Sequence, residues 1–178
     1  MAGQRLTDKT ALEEQAGSGD LLMLVDVNDT TGSSAGTSKK TDFKYVIQTD
    51  KISLSNAEVL ALDSTPKTLV GALSGYMVTV YNVTILVTYA SATESSAKDL
   101  LLGFDDSSDL KYWGKGDRFM NGITTDGSYV IQAQDAPRSP VYPTSIINRP
   151  FMCWAETTGF NGGWSADVYV TYAYTKIL

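Results

Sequence analysis

Three groups of side chains have the types to do chemistry. Asp105, Asp106 and Asp109 sit close enough in sequence to offer several oxygens to a hard cation such as calcium, which takes six to eight of them. Their spacing does not follow the calcium loop of an EF-hand, so a solvated acidic loop is expected there. Tyr112, Trp113, Asn161 and Trp164, with Trp154 and Phe160, could form a platform that stacks on sugar rings. The same aromatics are also what fills a sandwich core or an interface between copies, so both roles stay open. Asn161, Gly162 and Gly163, beside Trp164, are expected at an exposed tip. Cys153 lies in the apolar run Phe151-Met-Cys-Trp-Ala155 and reads as a small buried hydrophobe.

What the chain lacks bounds its chemistry more firmly. It has one cysteine and no histidine. Without histidine there is no Ser-His-Asp triad, no Cys-His pair to activate Cys153 and no histidine-bearing zinc site. One cysteine cannot close an internal disulfide. Glycosidase chemistry needs two carboxylates held across a cleft, and nothing in the sequence places any two of them. The expectation is a protein that is not an enzyme and holds no metal or cofactor. A net charge of −6 argues against binding nucleic acid through its phosphates, which takes clustered Lys and Arg. No apolar run is long enough to span a membrane. The opening Met1-Ala-Gly-Gln-Arg5 carries no apolar secretory signal, so the Asn-x-Thr sequons at Asn28 and Asn82 are expected to be coincidental.

The elements that must position these residues are mostly strands. Tyr76 to Tyr89 is the longest strand-like run. Its odd positions Met77, Tyr81, Val83, Ile85, Val87 and Tyr89 are apolar or aromatic, while Val78, Val80 and Leu86 interrupt the polar side. Trp164 to Tyr174 alternates cleanly, with Trp164, Ala166, Val168, Val170, Tyr172 and Tyr174 on one face. Leu100 to Phe104 and Phe151 to Ala155 are short and apolar. Thr125-Asp-Gly127 reads as a hairpin turn before a strand from Ser128 to Gln134. The prolines between Ala136 and Pro150 mark a loop or edge. Residues 52–178 therefore predict an antiparallel β-sandwich of jelly-roll type, with almost no helical periodicity.

Residues 1–51 differ in texture. Thr10 and Glu13 suggest a capping box and a short helix. Asp20 to Val27 is an apolar strand, followed by a Gly/Ser/Thr-rich loop from Asn28 to Ser38. Lys39 to Ile47 suggests a strand turning into a short helix capped at Thr41 or Asp42. A unit of this size buries little and needs a partner surface.

Two stretches resemble virion proteins of tailed bacteriophages. Asp20-Leu-Leu-Met-Leu-Val-Asp-Val-Asn-Asp-Thr30 with Gly36-Thr-Ser-Lys-Lys40 is similar to the N-terminal attachment segment of fibre and spike proteins. Ala57 to Val70, the long strand to Tyr89, Asn161-Gly-Gly163 and Val168 to Tyr172 resemble a β-sandwich domain of head fibres and other virion proteins. Such relatives often carry an Ala-Pro-Gly turn where this chain has Ala72-Leu-Ser-Gly75. The resemblance implies a mainly β chain with a 1–51 attachment segment and a 52–178 sandwich, working as a homotrimer. The expected role is a head fibre or capsid decoration protein of the virion, assembled in the host cytoplasm. Leu21, Leu22, Leu24, Val25, Lys39 and Lys40 would dock on a capsid or adaptor protein. Tyr112, Trp113, Asn161 and Trp164 would meet host surface glycans. A tail fibre, a receptor-binding protein or a carbohydrate-binding module are the alternatives, with a glycan-degrading enzyme behind them.

Overall fold

The computed structural model describes residues 21–32, 34, 36–42, 46–104, 111–133, 146–155 and 158–177, with the side chains of 21, 24, 25, 41, 42, 111 and 112 outside that set. The chain divides into two compact units, Met1–Val46 and Ile47–Leu178.

The first unit contains β1 (Leu21–Asp26) and β2 (Thr37–Asp42), paired antiparallel from Leu21↔Asp42 to Asp26↔Thr37. The helices suggested by Thr10 and Glu13, and after Thr41 or Asp42, fall outside the described residues. The second unit begins with β3 (Gln48–Leu54), which pairs with β10 (Trp164–Lys176) from Gln48↔Tyr172 to Leu54↔Ala166. The boundary expected at 51/52 therefore falls inside β3, and the division lies earlier in the chain. β3 is an edge strand whose Thr49, Lys51 and Ser53 point outward, so its start carries little apolar signal.

The other elements are α1 (Asn56–Leu60), β4 (Lys67–Val70), β5 (Tyr76–Tyr89), β6 (Leu100–Phe104), β7 (Lys111–Gly116), β8 (Gly127–Ile131) and β9 (Phe151–Ala155). One sheet runs β3-β10-β5-β8 and the other β4-β9-β6-β7, with every pair antiparallel. Each step along these strands crosses between sheets except β6 to β7. That wiring is the jelly roll, and the expected antiparallel sandwich is what forms. Thr125-Asp-Gly127 does not close a hairpin, because β7 and β8 lie in different sheets. Asp126 instead accepts the amide of Tyr89 at 2.8 Å.

The mixed pattern of β5 is explained by a bulge. Thr171 faces Asn82 and Tyr172 faces Val80, so Tyr81 has no partner on β10. Inserting one residue flips the parity of every later side chain. Val78 and Val80 therefore face inward on even positions, and Val83, Ile85 and Val87 on odd ones. On β10 the same inward face is Trp164, Ala166, Val168, Val170 and Tyr172, as the alternation predicts. Two further register breaks, at Leu69 and Trp113, turn both side chains toward the core.

The helix missed in the sequence is short and capped. The Ser55 hydroxyl accepts the Glu58 amide, and the Glu58 carboxylate accepts the Ser55 amide, a reciprocal capping box. Glu58 also pairs with Lys67 at the start of β4. Together these hold the Glu58 carboxyl well down, at about 2, Lys67 contributing most.

Candidate functional site

The end of the sandwich where β10 begins is built around one buried acid. Glu94, 1% exposed, accepts the amides of Asn161 at 3.0 Å and Gly162 at 2.8 Å, the Ser96 amide at 2.8 Å, and the indole N–H of Trp164 at 3.3 Å. Its backbone carbonyl accepts the amide of Gly122 at 2.8 Å. Glu94 thus ties the loop before β8 to the turn before β10. Burial alone would raise its carboxyl, but the donors from Ser96, Gly162 and Trp164 outweigh it and hold it below the ordinary value. Asn56 closes the same turn from α1, donating to the carbonyls of Gly162 and Trp164 at 2.9 Å each. At Gly163 the chain runs against residues 91–92: a Cβ there would lie 2.5 Å from Ser91 Oγ and 2.7 Å from the Ala92 amide nitrogen.

This arrangement corrects the glycan platform. Trp164 is 1% exposed, edge-on to Phe160 at 5.2 Å and tilted against Phe119 at 5.4 Å. It is core, because its position starts the inward face of β10. Trp154 and Phe160 are buried too. Trp113 packs edge-on to Phe151 at 5.5 Å, and only Asn161 stands exposed, pairing with Ser95. The side chain of Tyr112, and all of Asp105, Asp106 and Asp109, lie outside the described residues. No sugar-stacking surface is assembled from Trp113, Asn161 and Trp164.

A surface the sequence reading did not find lies beside this end, at the edges of β7 and β8. It is a depression of about 340 Å³. Buried Phe119, Met120 and Ile131 and half-buried Tyr129 form its floor. Lys115, Asp117, Arg118 and Asn121 stand on its rim with exposed Ile123 and Val130. Gly114 lets the two edges close, since a Cβ there would sit 2.8 Å from the Gln132 carbonyl. The loop carrying the rim is held in an unusual shape. Arg118 and Met120 have φ of 45° and 61°, a region that non-glycine residues rarely adopt. Its amides are fixed from outside: Arg118 donates to Asp99 at 2.7 Å and Phe119 to the Lys98 carbonyl at 2.8 Å. Tyr129 points its hydroxyl at Met120 Sδ, 3.2 Å away. Lys115 is bracketed by Asp117 and Asp99, which raise its pKa in that order. Among the described residues Arg118 makes no ion pair.

The first unit is assembled by its loop. Asp29 accepts the amide and hydroxyl of Thr31 at 3.0 and 2.6 Å and pairs with Lys39, and Thr37 accepts the Gly32 amide at 3.0 Å. Lys39 first, then Thr31, lower the Asp29 carboxyl to about 2. Lys39 pairs with Asp29 across the loop, and both Lys39 and Lys40 are exposed. Leu22 is half-buried, Met23 and Val27 are exposed, and the side chains of Leu21, Leu24 and Val25 lie outside the described residues.

Elsewhere, Cys153 is buried and its thiol is pushed up to about 12 by burial, which leaves no thiolate at neutral pH. Tyr172 donates to Asp50 at 2.7 Å, and burial followed by that carboxylate raises its hydroxyl. Among the described residues no three His, Cys, Asp or Glu side chains gather as a metal site, and no helix is long and apolar enough to cross a membrane. No protein-family model matches the sequence, and no curated protein matches it.

Proposed function

We propose that this chain is a structural protein of a bacteriophage virion, a trimeric head fibre or capsid decoration protein. Residues of the first unit dock on a capsid or adaptor protein, and the jelly roll is displayed outward. The observation that supports this most is the unequal pair of units. Among the described residues the first unit is a two-stranded ribbon with Met23 and Val27 exposed at 67% and 69%, and such a ribbon is marginal in water by itself. It precedes a complete jelly roll, an architecture common in viral structural proteins. The resemblance of Asp20 to Lys40 to attachment segments points the same way.

Light scattering on the full chain tests the oligomer: the expected mass is three times 19.2 kDa, and a single-chain mass overturns the trimer. Particles lacking the protein test the docking. They are expected to capture the full chain and not a chain beginning at Ile47, and equal capture overturns the assignment. A carbohydrate-binding module is the second reading, favoured by the depression beside β7 and β8. Tail rather than head location would appear directly in a density map of the particle.

A further inference from the structure

We propose that the depression between the edges of β7 and β8 binds a neutral pyranose of a surface glycan, with Arg118, Asp117 and Asn121 as its hydrogen-bonding rim, Val130 beside them, and Tyr129 in its apolar floor. This deepens the carbohydrate-binding reading given above and rests on display from a virion only for the biological source of the sugar.

The geometry carries three arguments. The volume, about 340 Å³, lies at the small end of the range of ligand sites, suited to one or two sugar rings rather than a helix or extended peptide. The rim mixes donors and acceptors: guanidinium and ammonium from Arg118 and Lys115, carboxylate from Asp117, and a carboxamide from Asn121 that is both. Sugar hydroxyls are also both donor and acceptor, so they match such a rim. The floor is apolar, which suits the C–H face of a pyranose.

Charge narrows the ligand. The two cations Lys115 and Arg118 are matched in number by Asp99 and Asp117, with both carboxylates paired to Lys115. A phosphate or carboxylate would meet Asp117 as well as Arg118, and a cation would meet Arg118. A neutral polyol can hydrogen-bond to both Arg118 and Asp117 without a like-charge contact. The rim is also preorganised. Two non-glycine residues at positive φ persist because hydrogen bonds from the loop's amides to Asp99, Lys98 and Glu94 fix it. A held rim reduces the ordering cost of binding.

The test is saturation-transfer NMR on the full chain, with the methyl glycosides of glucose, galactose, mannose and N-acetylglucosamine, and with methyl glucuronide as the charged arm. Transfer to at least one neutral glycoside is expected. It should weaken about tenfold or more in Arg118→Gly, which suits the positive φ, and in Val130→Asp, which replaces an apolar contact by a carboxylate. Lys51→Ala, on the far edge strand of the first sheet, should leave it unchanged. Circular dichroism melting confirms that each variant folds; should Val130→Asp not fold, Asp117→Ala takes its place. No transfer to any neutral glycoside, transfer to the glucuronide alone, or unchanged transfer in a folded Arg118→Gly each overturn the proposal. The readout uses no particles, so its failure is distinguishable from failure of virion attachment.

Discussion

The carboxylate of Glu94 accepts the indole N–H of Trp164 at 3.3 Å, and both residues are 1% exposed. The same carboxylate takes three backbone amides, so one side chain satisfies four donors at the end of the core. Glu94→Ala strands those donors, several of them without access to water. Each bond to a charged acceptor contributes about 1.5–3 kcal/mol, and water entering the gap recovers part of the loss. The expected cost is about 3 kcal/mol in urea unfolding, with the largest loss of amide protection in the 160–164 turn. Glu94→Gln should cost less but not be neutral, since it turns an N–H2 toward donors.

The acid limb of stability should belong to carboxylates. Glu94, Asp99, Asp167 and Glu58 all have depressed values in the folded chain, starting from 4.5 for Glu and 3.8 for Asp. A depressed carboxyl adds stability that is complete above its unfolded value and lost as pH falls through the folded one. Calorimetric melting temperatures should therefore stay flat between about pH 5 and 8, where a chain without histidine has little to titrate. They should fall below about pH 4.5 and continue falling toward about pH 2, where Glu58 protonates. Glu94→Gln should make that descent shallower; an unchanged slope would remove Glu94 from the account.

How much of this was readable in the sequence depends on whether local pattern and tertiary position agreed. The face of β10 was legible residue by residue because a central strand covered on one side alternates without exception from Trp164 to Val170. The parity of β5 was not, since a bulge at Tyr81 depends on the partner strand and leaves no local signature. Ser55 and Glu58 carried a capping box that could have been found, but one helical turn between strands gives no periodicity. Trp164 was left between platform and core because residue type cannot tell the two apart; the decisive partner, Glu94, is distant in sequence. The depression was invisible for the same reason, being made where edges of two different sheets meet.

Cys153 offers a probe of the core from the second sheet. Its thiol is fully enclosed and raised from 9.0 to about 12 by burial. Iodoacetamide followed by mass spectrometry at about pH 8 should leave the native chain unmodified, and alkylate one site per chain in denaturant. The raised value also has a sign. The folded state keeps its proton where the unfolded chain would lose it, so this contribution is complete below about pH 9 and declines as pH rises toward about 12. Tyr172 and Tyr174, both raised, first by burial, act in the same direction from 10.0 upward. Rapid native alkylation at neutral pH would contradict the buried placement of β9.

Two glycine positions should respond oppositely to the same added methyl group. At Gly163 a Cβ would fall 2.5 Å from Ser91 Oγ and 2.7 Å from the backbone nitrogen of Ala92, and only the first of those can rotate away. Gly163 also accepts the Ala90 amide at 2.8 Å and donates to the Ala92 carbonyl at 2.7 Å, so the contact cannot open without losing hydrogen bonds. Gly163→Ala should therefore destabilise by about 2 kcal/mol, in the usual range for overpacking. At Gly71 nothing lies within 4 Å of the new carbon and φ is not in the left-handed region. Gly71→Ala should be neutral or stabilising by about 0.5 kcal/mol, because it restricts the unfolded chain more than the folded one. Matched urea titrations of the two variants decide it: equal midpoints would mean that the turn before β10 does not press against residues 91–92 as the structure places it.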